Sequence, residues 1–190
     1  MNTLSYGLLS LLSLNPQSGY DLMHRIQPFW PAKHSQIYPL LSCLEKEGLV
    51  QFETVAQTDK PDKKVYSVTE SGRDALRKWL SEPTDAPALR DALMLKIFCI
   101  SLSNPDAARA LIEERAGYYR CKLDIFKEKL ETIREKASLE EEDAPVFGSP
   151  YFGSYVLVQR ALSSSRSDLN WCEWVVSLLP PGKKPETEHL

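Results

Sequence analysis

The sequence predicts a mostly α-helical chain with one small β-hairpin, organised in two parts. Three observations predict it. Apolar residues recur at helical spacing through most of the 190 residues, and alternation replaces that spacing only around residues 50 to 68. A proline-bearing interval, Ser81-Glu82-Pro83-Thr84-Asp85-Ala86-Pro87-Ala88, separates the hairpin side from a second helical run. That second run carries a long heptad-spaced stripe. Hydrophobic residues make up 43% and charged residues 26%, the balance of a folded globular chain rather than a disordered one.

The elements follow in order. Leu4 to Leu14 is leucine-rich enough for a helix buried on most of its circumference, and Asn15-Pro16-Gln17-Ser18-Gly19 breaks it. Ser18 is placed to cap a second helix, Tyr20 to Gln27, with Leu22, Met23 and Ile26 on one face. A third helix follows Pro31. Its Ile37, Leu40, Leu41 and Leu44 fall at i, i+3, i+4 and i+7, and Gly48 sits where a left-handed residue ends a helix. Pro39 is tolerable near a first turn, where a missing N–H costs least. Val50 and Phe52, then Val65 and Tyr66 to Val68, read as two strands around a charged tip. Ser71 with Asp74 reads as a capping box opening a fourth helix with Leu76, Trp79 and Leu80. Three helices, a hairpin and a closing helix within residues 1–80 make an N-terminal winged helix-turn-helix.

Residues 81–88 read as a linker. Beyond it a helix is expected from about Arg90 to Ser101, and Asn104-Pro105 reads as a cap with proline at the first helical position. The long helix that follows places Ile112, Ala116, Tyr119, Leu123, Phe126, Leu130 and Ile133 at gaps of 4, 3, 4, 3, 4 and 3. That stripe suits packing on the next helix of the same chain or pairing between chains, and both hold where two chains interleave. The acidic run Glu140 to Asp143 reads as a solvated loop, and Ser149-Pro150 as another cap and first residue. A last helix, Tyr155 to Leu179, carries Tyr155, Val158, Leu162, Leu169, Cys172, Val176 and Leu179 on a seam interrupted by Ser165. Residues 89–180 thus form a C-terminal helical dimerisation domain, with Ile112, Tyr119, Leu123, Phe126, Leu130, Tyr155, Leu162 and Leu169 as the pairing residues. Residues 181–190 are expected to be a disordered tail.

Charge and motif content exclude several classes. Net charge is −3; residues 1–80 hold 9 Lys+Arg against 8 Asp+Glu, and residues 81–190 hold 14 against 18. Room is left only for a local cationic patch on the first part. The run Leu8 to Leu14 is too short to span a bilayer, and no cationic segment precedes it, so neither a secretion signal nor a membrane anchor is expected. The four cysteines, Cys43, Cys99, Cys121 and Cys172, are scattered singly and read as buried free thiols of a reducing cytoplasm. The three histidines lie near none of them at ligand spacing, so no metal and no cofactor are expected. No Gly-rich phosphate loop and no G-x-S-x-G is present, which argues against an enzyme.

The third helix divides as a DNA-reading helix must. Ile37, Leu40, Leu41 and Leu44 face inward, while Lys33, His34, Ser35, Gln36 and Tyr38 crowd the N-terminal end that such helices present to the major groove. Gln36 suits bidentate pairing with adenine, Ser35 contact with base or phosphate, and Tyr20 and Tyr38 donation to phosphates. Lys60, Lys63 and Lys64 suit phosphate neutralisation or the minor groove, although beside Asp59 and Asp62 they also fit an ordinary solvated turn. His34 fits equally a cap or an interdomain contact. Two such heads on a pseudo-palindrome reinforce each other, so a two-fold dimer is expected with recognition helices roughly 34 Å apart. The competing class is a winged-helix protein-interaction module that does not bind DNA.

The run Lys33-His34-Ser35-Gln36-Ile37-Tyr38-Pro39-Leu40-Leu41, then Leu44-Glu45 and Gly48-Leu49, resembles the third-helix signature of PadR-family transcriptional regulators. Ser18-Gly19-Tyr20-Asp21 matches the family's second-helix start, which adds Ser18 to the DNA-binding set. Lys64-Val65-Tyr66-Ser67-Val68-Thr69 followed by Gly72 is similar to its wing-to-fourth-helix passage. Leu95-Lys96 and Ser149-Pro150 through Gly153 resemble the longer-tailed subgroup of phenolic-acid-responsive repressors and virulence activators. The resemblance implies a repressor released by a small aromatic carboxylate. Rings and a cation suit that ligand, with His34, Lys96, Phe98, Tyr151, Phe152 and Arg160 as its candidate contacts. The chain departs from the subgroup at Asp91-Ala92-Leu93, where Asp-Glu-Phe is common, and at Ser154, where phenolic-acid repressors can show a histidine.

Overall fold

Residues 1–56, 62–87, 90–140 and 143–181 are described by the computed structural model of the chain. It separates into two units, Met1–Pro87 and Ala88–Leu190. Lys60, Ala88, the middle of the acidic run and residues 182–190 of the expected tail lie outside the described residues.

In the first unit, α1 (Thr3–Leu14) starts where the Asn2 side chain accepts the Ser5 N–H at 2.9 Å. After β1 (Gln17–Ser18), α2 spans Gly19–Ile26 and α3 spans His34–Lys46. Gly48 follows α3 at φ 69°, the left-handed conformation its position demands. Pro39 is the sixth residue of α3, beyond the first turn where the sequence places it. Having no N–H, it leaves the Ser35 carbonyl without its helical donor, on the exposed side of the helix.

β2 (Val50–Val55) and β3 (Lys63–Val68) pair antiparallel, from Val50 opposite Val68 to Val55 opposite Lys63. Sequence pattern missed β1, whose two residues are too few to alternate. Gln17 and Ser18 pair with Tyr66 and Val65, giving a three-stranded sheet of order β1-β3-β2. α4 is Glu70–Leu80, capped by Thr69 rather than Ser71. Thr69 is the last extended residue. Its N–H donates to the Leu49 carbonyl at 3.0 Å, its hydroxyl donates to Gly48 at 2.7 Å, and its Oγ1 accepts the Gly72 N–H at 3.1 Å. The four helices and the sheet close over Leu8, Leu12, Leu22, Ile37, Leu41, Leu44, Val50 and Leu76, each contributing about 1.5–3 kcal/mol by leaving water. Tyr6 and Trp79 stack at 4.8 Å and hold α4 on α1.

In the second unit, α5 is shorter than the sequence suggests, Ala92–Phe98 with a 3₁₀ turn at Ile100–Leu102. α6 runs Pro105–Ala137 from the Asn104 cap with proline first, as the spacing predicts. α7 is Phe152–Leu178, so Ser149-Pro150 lies in the preceding turn instead of capping the helix, and Ser149 Oγ accepts the Tyr151 N–H at 3.2 Å. The two long helices run antiparallel. Arg109 donates to the Leu179 and Pro180 carbonyls at one end, Arg120 meets Glu173 further along, and Leu123, Phe126 and Leu130 pack on Val158 and Leu162. Ile112, Ala116, Cys172 and Leu93 make a second cluster that seats α5. The heptad stripe is therefore covered by α7 of the same chain.

One further expectation changes. Cys43, Cys99 and Cys121 are exposed and only Cys172 is buried, because the first three fall on the outer faces of their elements. Among the described residues, no helix is long and apolar enough to cross a membrane.

Candidate nucleic-acid interface

The start of α3 is built to stand out from the unit. Ile37, Leu41 and Leu44 are buried and Leu40 half-buried, which fixes one side of the helix and turns Lys33, His34, Ser35, Gln36 and Tyr38 to solvent. Gln36 Oε1 accepts the Lys33 N–H at 3.0 Å and so closes the first turn. Its amide NH₂ is left facing outward as a donor. The Tyr38 ring lies on Gly19 at the start of α2, where any Cβ would come within 2.8 Å of its Cε1. His34 stacks on Tyr38 with centroids 5.8 Å apart, Tyr20 lies 6.4 Å from His34, and His24 packs edge-on against Tyr20 at 4.4 Å. Tyr20 and Tyr38 remain 55% and 43% exposed, so their hydroxyls are presented to a partner. The starts of α2 and α3 thus form one polar and aromatic surface. His34, which the sequence analysis grouped with effector contacts, sits inside it.

Ser18 is corrected from a DNA contact to a framework residue. It is 4% exposed, its hydroxyl donates to Asp21 Oδ2 at 2.6 Å, and it accepts the Asp21 N–H at 3.2 Å. The proton a phosphate would need is already given to Asp21. Ser18→Ala is expected to lower the stability of the unit by about 1 kcal/mol, the worth of a helix cap, read as a lower urea midpoint at unchanged slope.

Lys63 is engaged within the unit and partly exposed. Its ammonium lies 3.0 Å from Asp21 Oδ2, tying the root of β3 to α2. Hydrogen bonds from Ser18, and then from Lys63, hold the Asp21 carboxyl below the usual carboxylate range. Lys64 is exposed, with its ammonium 3.7 Å from the centroid of the Phe52 ring, and remains a wing cation. No local pattern announces the Lys63–Asp21 pair, whose members are 42 residues apart.

The effector candidates do not assemble as a set. Lys96 lines a groove of about 500 Å³ in the second unit, with Leu93, Leu111, Glu114, Arg115 and Tyr118. Phe98, Tyr151, Phe152 and Arg160 are not among its lining residues. Phe98 is 95% exposed, Phe152 packs edge-on against Phe147, and Arg160 donates to the Ser164 hydroxyl. Arg115, which the sequence did not single out, is held by Asp91 through two hydrogen bonds of 2.5 and 3.1 Å. The pair lowers the Asp91 carboxyl pKa and raises that of the guanidinium. The two residues are 24 positions apart, Asp91 capping α5 and Arg115 within α6, beyond the reach of any local motif.

The residues expected to pair two chains are buried in this chain's own packing. Ile112, Leu123, Phe126, Leu130 and Leu162 are buried, and Tyr119, Tyr155 and Leu169 half-buried. Among the described residues, no cluster of three or more His, Cys, Asp or Glu is placed to hold a metal ion.

Comparison with known proteins bears directly on this surface. Residues 8–78 match the family described as Transcriptional regulator PadR-like, and residues 89–180 match Virulence activator alpha C-term. The Negative transcriptional regulator PadR of Bacillus subtilis (strain 168) is 33% identical over 184 residues, which cover 94% of this chain and 98% of that protein. The crystal structure of Bacillus subtilis PadR in complex with operator DNA aligns at TM-score 0.80 with 32% identity, over 94% of this chain and 99% of that one. Its complex with p-coumaric acid aligns at TM-score 0.72 with 30% identity, over 93% and 98%. These relatives are regulators and not enzymes. With a winged helix-turn-helix whose third helix has its start turned outward, and with relatives matched along nearly its whole length, the chain belongs to the PadR family of transcriptional regulators.

Proposed function

We propose that the chain is a dimeric repressor that binds a pseudo-palindromic operator and leaves it when a small aromatic acid binds. The observation that carries the DNA reading is the start of α3, where Lys33, Ser35, Gln36 and Tyr38 stand exposed on a helix whose other side is locked in the core. Gln36 and Ser35 are suited to base edges, Tyr20, Tyr38 and Lys33 to phosphates, and Lys64 to the neighbouring groove wall. Lys60 belongs to the proposed wing contacts by its charge. One head makes few phosphate contacts, so two heads about one helical turn apart are required for useful affinity. With the heptad stripe covered within the chain, pairing falls to exposed apolar side chains of the second unit such as Tyr118, Leu157 and Trp174. For the effector, Lys96 and Arg115 share a groove with the Tyr118 ring, which offers a carboxylate a cation and an aromatic ligand a wall. The p-coumaric acid complex of Bacillus subtilis PadR supports that ligand class.

A mobility-shift series against salt on the DNA upstream of the protein's own coding sequence tests this. The wild type is expected to retard that DNA and to lose affinity steeply as salt rises. Lys64→Ala should weaken all sequences alike and, with one lysine lost from each head of the dimer, reduce the log–log salt slope by about 1.8. Millimolar p-coumaric acid should release the complex. Absence of any retardation at low salt would remove the DNA reading in favour of a protein-interaction module.

A further inference from the structure

The ring surface at the starts of α2 and α3 contains two imidazoles that the contacts above leave without a task. We propose that His24 and His34 are DNA contacts and make operator binding proton-linked. The inference rests on the reading that the start of α3 faces the duplex. His34 is the first residue of α3, next to Ser35 and Gln36, and its stack on Tyr38, with planes 6° apart, holds the imidazole edge toward the solvent those residues face. His24 is on the same surface through Tyr20, whose ring contacts both histidines. Both histidines are exposed.

The charges around them give the sign. α3 contributes Lys33 and its own amide-rich start, α2 contributes Arg25 and Asp21, and β3 contributes Lys63. Asp21 is engaged by Ser18 and Lys63, which leaves no free carboxylate in this group to pair with an imidazolium. A duplex brings uncompensated negative charge. Neutral imidazole offers one N–H, whereas imidazolium offers two and a positive charge, to phosphate oxygens or to guanine N7 and O6. Binding therefore favours the protonated form in the complex. A process that takes up protons strengthens as pH falls through the range where imidazole titrates.

The test is fluorescence anisotropy of labelled operator at pH 8 and pH 6 and constant ionic strength, on the full chain. Wild type is expected to bind about ten-fold tighter at pH 6. The chain holds three histidines, so the double variant His24→Gln/His34→Gln leaves only His189. Glutamine keeps hydrogen-bonding groups but cannot charge, and the double variant should show a flat profile between pH 8 and pH 6. Thermal melts at both pH values confirm the fold of each variant. A random duplex measured alongside assigns the contact: a pH effect lost on both DNAs places the imidazolium at phosphate, and one lost only on the operator places it at a base edge; either supports the proposal. A wild type that binds operator with no pH effect, or a double variant that keeps the wild-type effect, overturns it while the DNA reading stands. A wild type that binds no duplex at either pH overturns both.

Discussion

Gly72→Ala is expected to destabilise the N-terminal unit by about 3 kcal/mol, more than most single methyl additions. An alanine Cβ at this position would lie 2.2 Å from the Leu49 carbonyl oxygen and 2.8 Å from Val68 Cγ2. The nearest obstacle is backbone, and it is not free to yield. The Leu49 carbonyl accepts the Thr69 N–H, and Thr69 in turn holds Gly48 and Gly72. Relief requires α4 to lift away from the α3–β2 junction, which loosens Leu76 and the Tyr6–Trp79 stack. In a unit of this size such a loss lowers the melting midpoint by about 12 °C or more. Gly117→Ala is the internal comparison. Gly117 lies in α6, with nothing within 4 Å of its would-be Cβ, and alanine there should stabilise by about 0.5–1 kcal/mol. Unfolding followed by circular dichroism separates the two, and a Gly72→Ala midpoint equal to wild type would contradict the packing described for the start of α4.

Gln36→Glu is expected to leave the fold intact and to lower operator affinity about 100-fold, equivalent to about 2.7 kcal/mol. The substitution separates the two roles the side chain combines. A glutamate oxygen can accept the Lys33 N–H as Gln36 Oε1 does, and a carboxylate in the first turn is favoured by the helix dipole by about 0.3–1 kcal/mol. Thermal stability should therefore hold or rise slightly. At the duplex the same change removes the outward amide donor and sets a negative charge against phosphates and base acceptors. Gln36→Ala removes the cap as well, so it should lose both stability and binding. Anisotropy and melting curves on the two variants resolve the contributions. Wild-type affinity in Gln36→Glu would place this side chain away from the bases.

The features legible in the sequence are those decided within a few residues. The Ser18 and Asn104 caps, the left-handed Gly48 and the inward side of α3 all follow from neighbours one to seven positions away. What escaped depends on partners distant in the chain. β1 is two residues whose existence depends on β3. Ser71 and Thr69 are both hydroxyl residues, and Thr69 becomes the cap because its N–H is also required by Leu49. The charge of Lys63 is plain in the sequence, but its engagement by Asp21 is set by how the hairpin folds back on α2. Arg115 likewise gains meaning only when α5 lies on α6. The heptad stripe and the seam of the last helix were both legible, while the choice between packing within one chain and pairing two chains was not.

The Asp21–Lys63 ion pair stands at the loop end of the hairpin, on the first residue of its returning strand. The pair fastens that end of β3 to α2, whose start shares the ring surface with α3. On the proposed DNA reading, changes made to the tip are accordingly expected to alter reach along a groove without re-aiming α3.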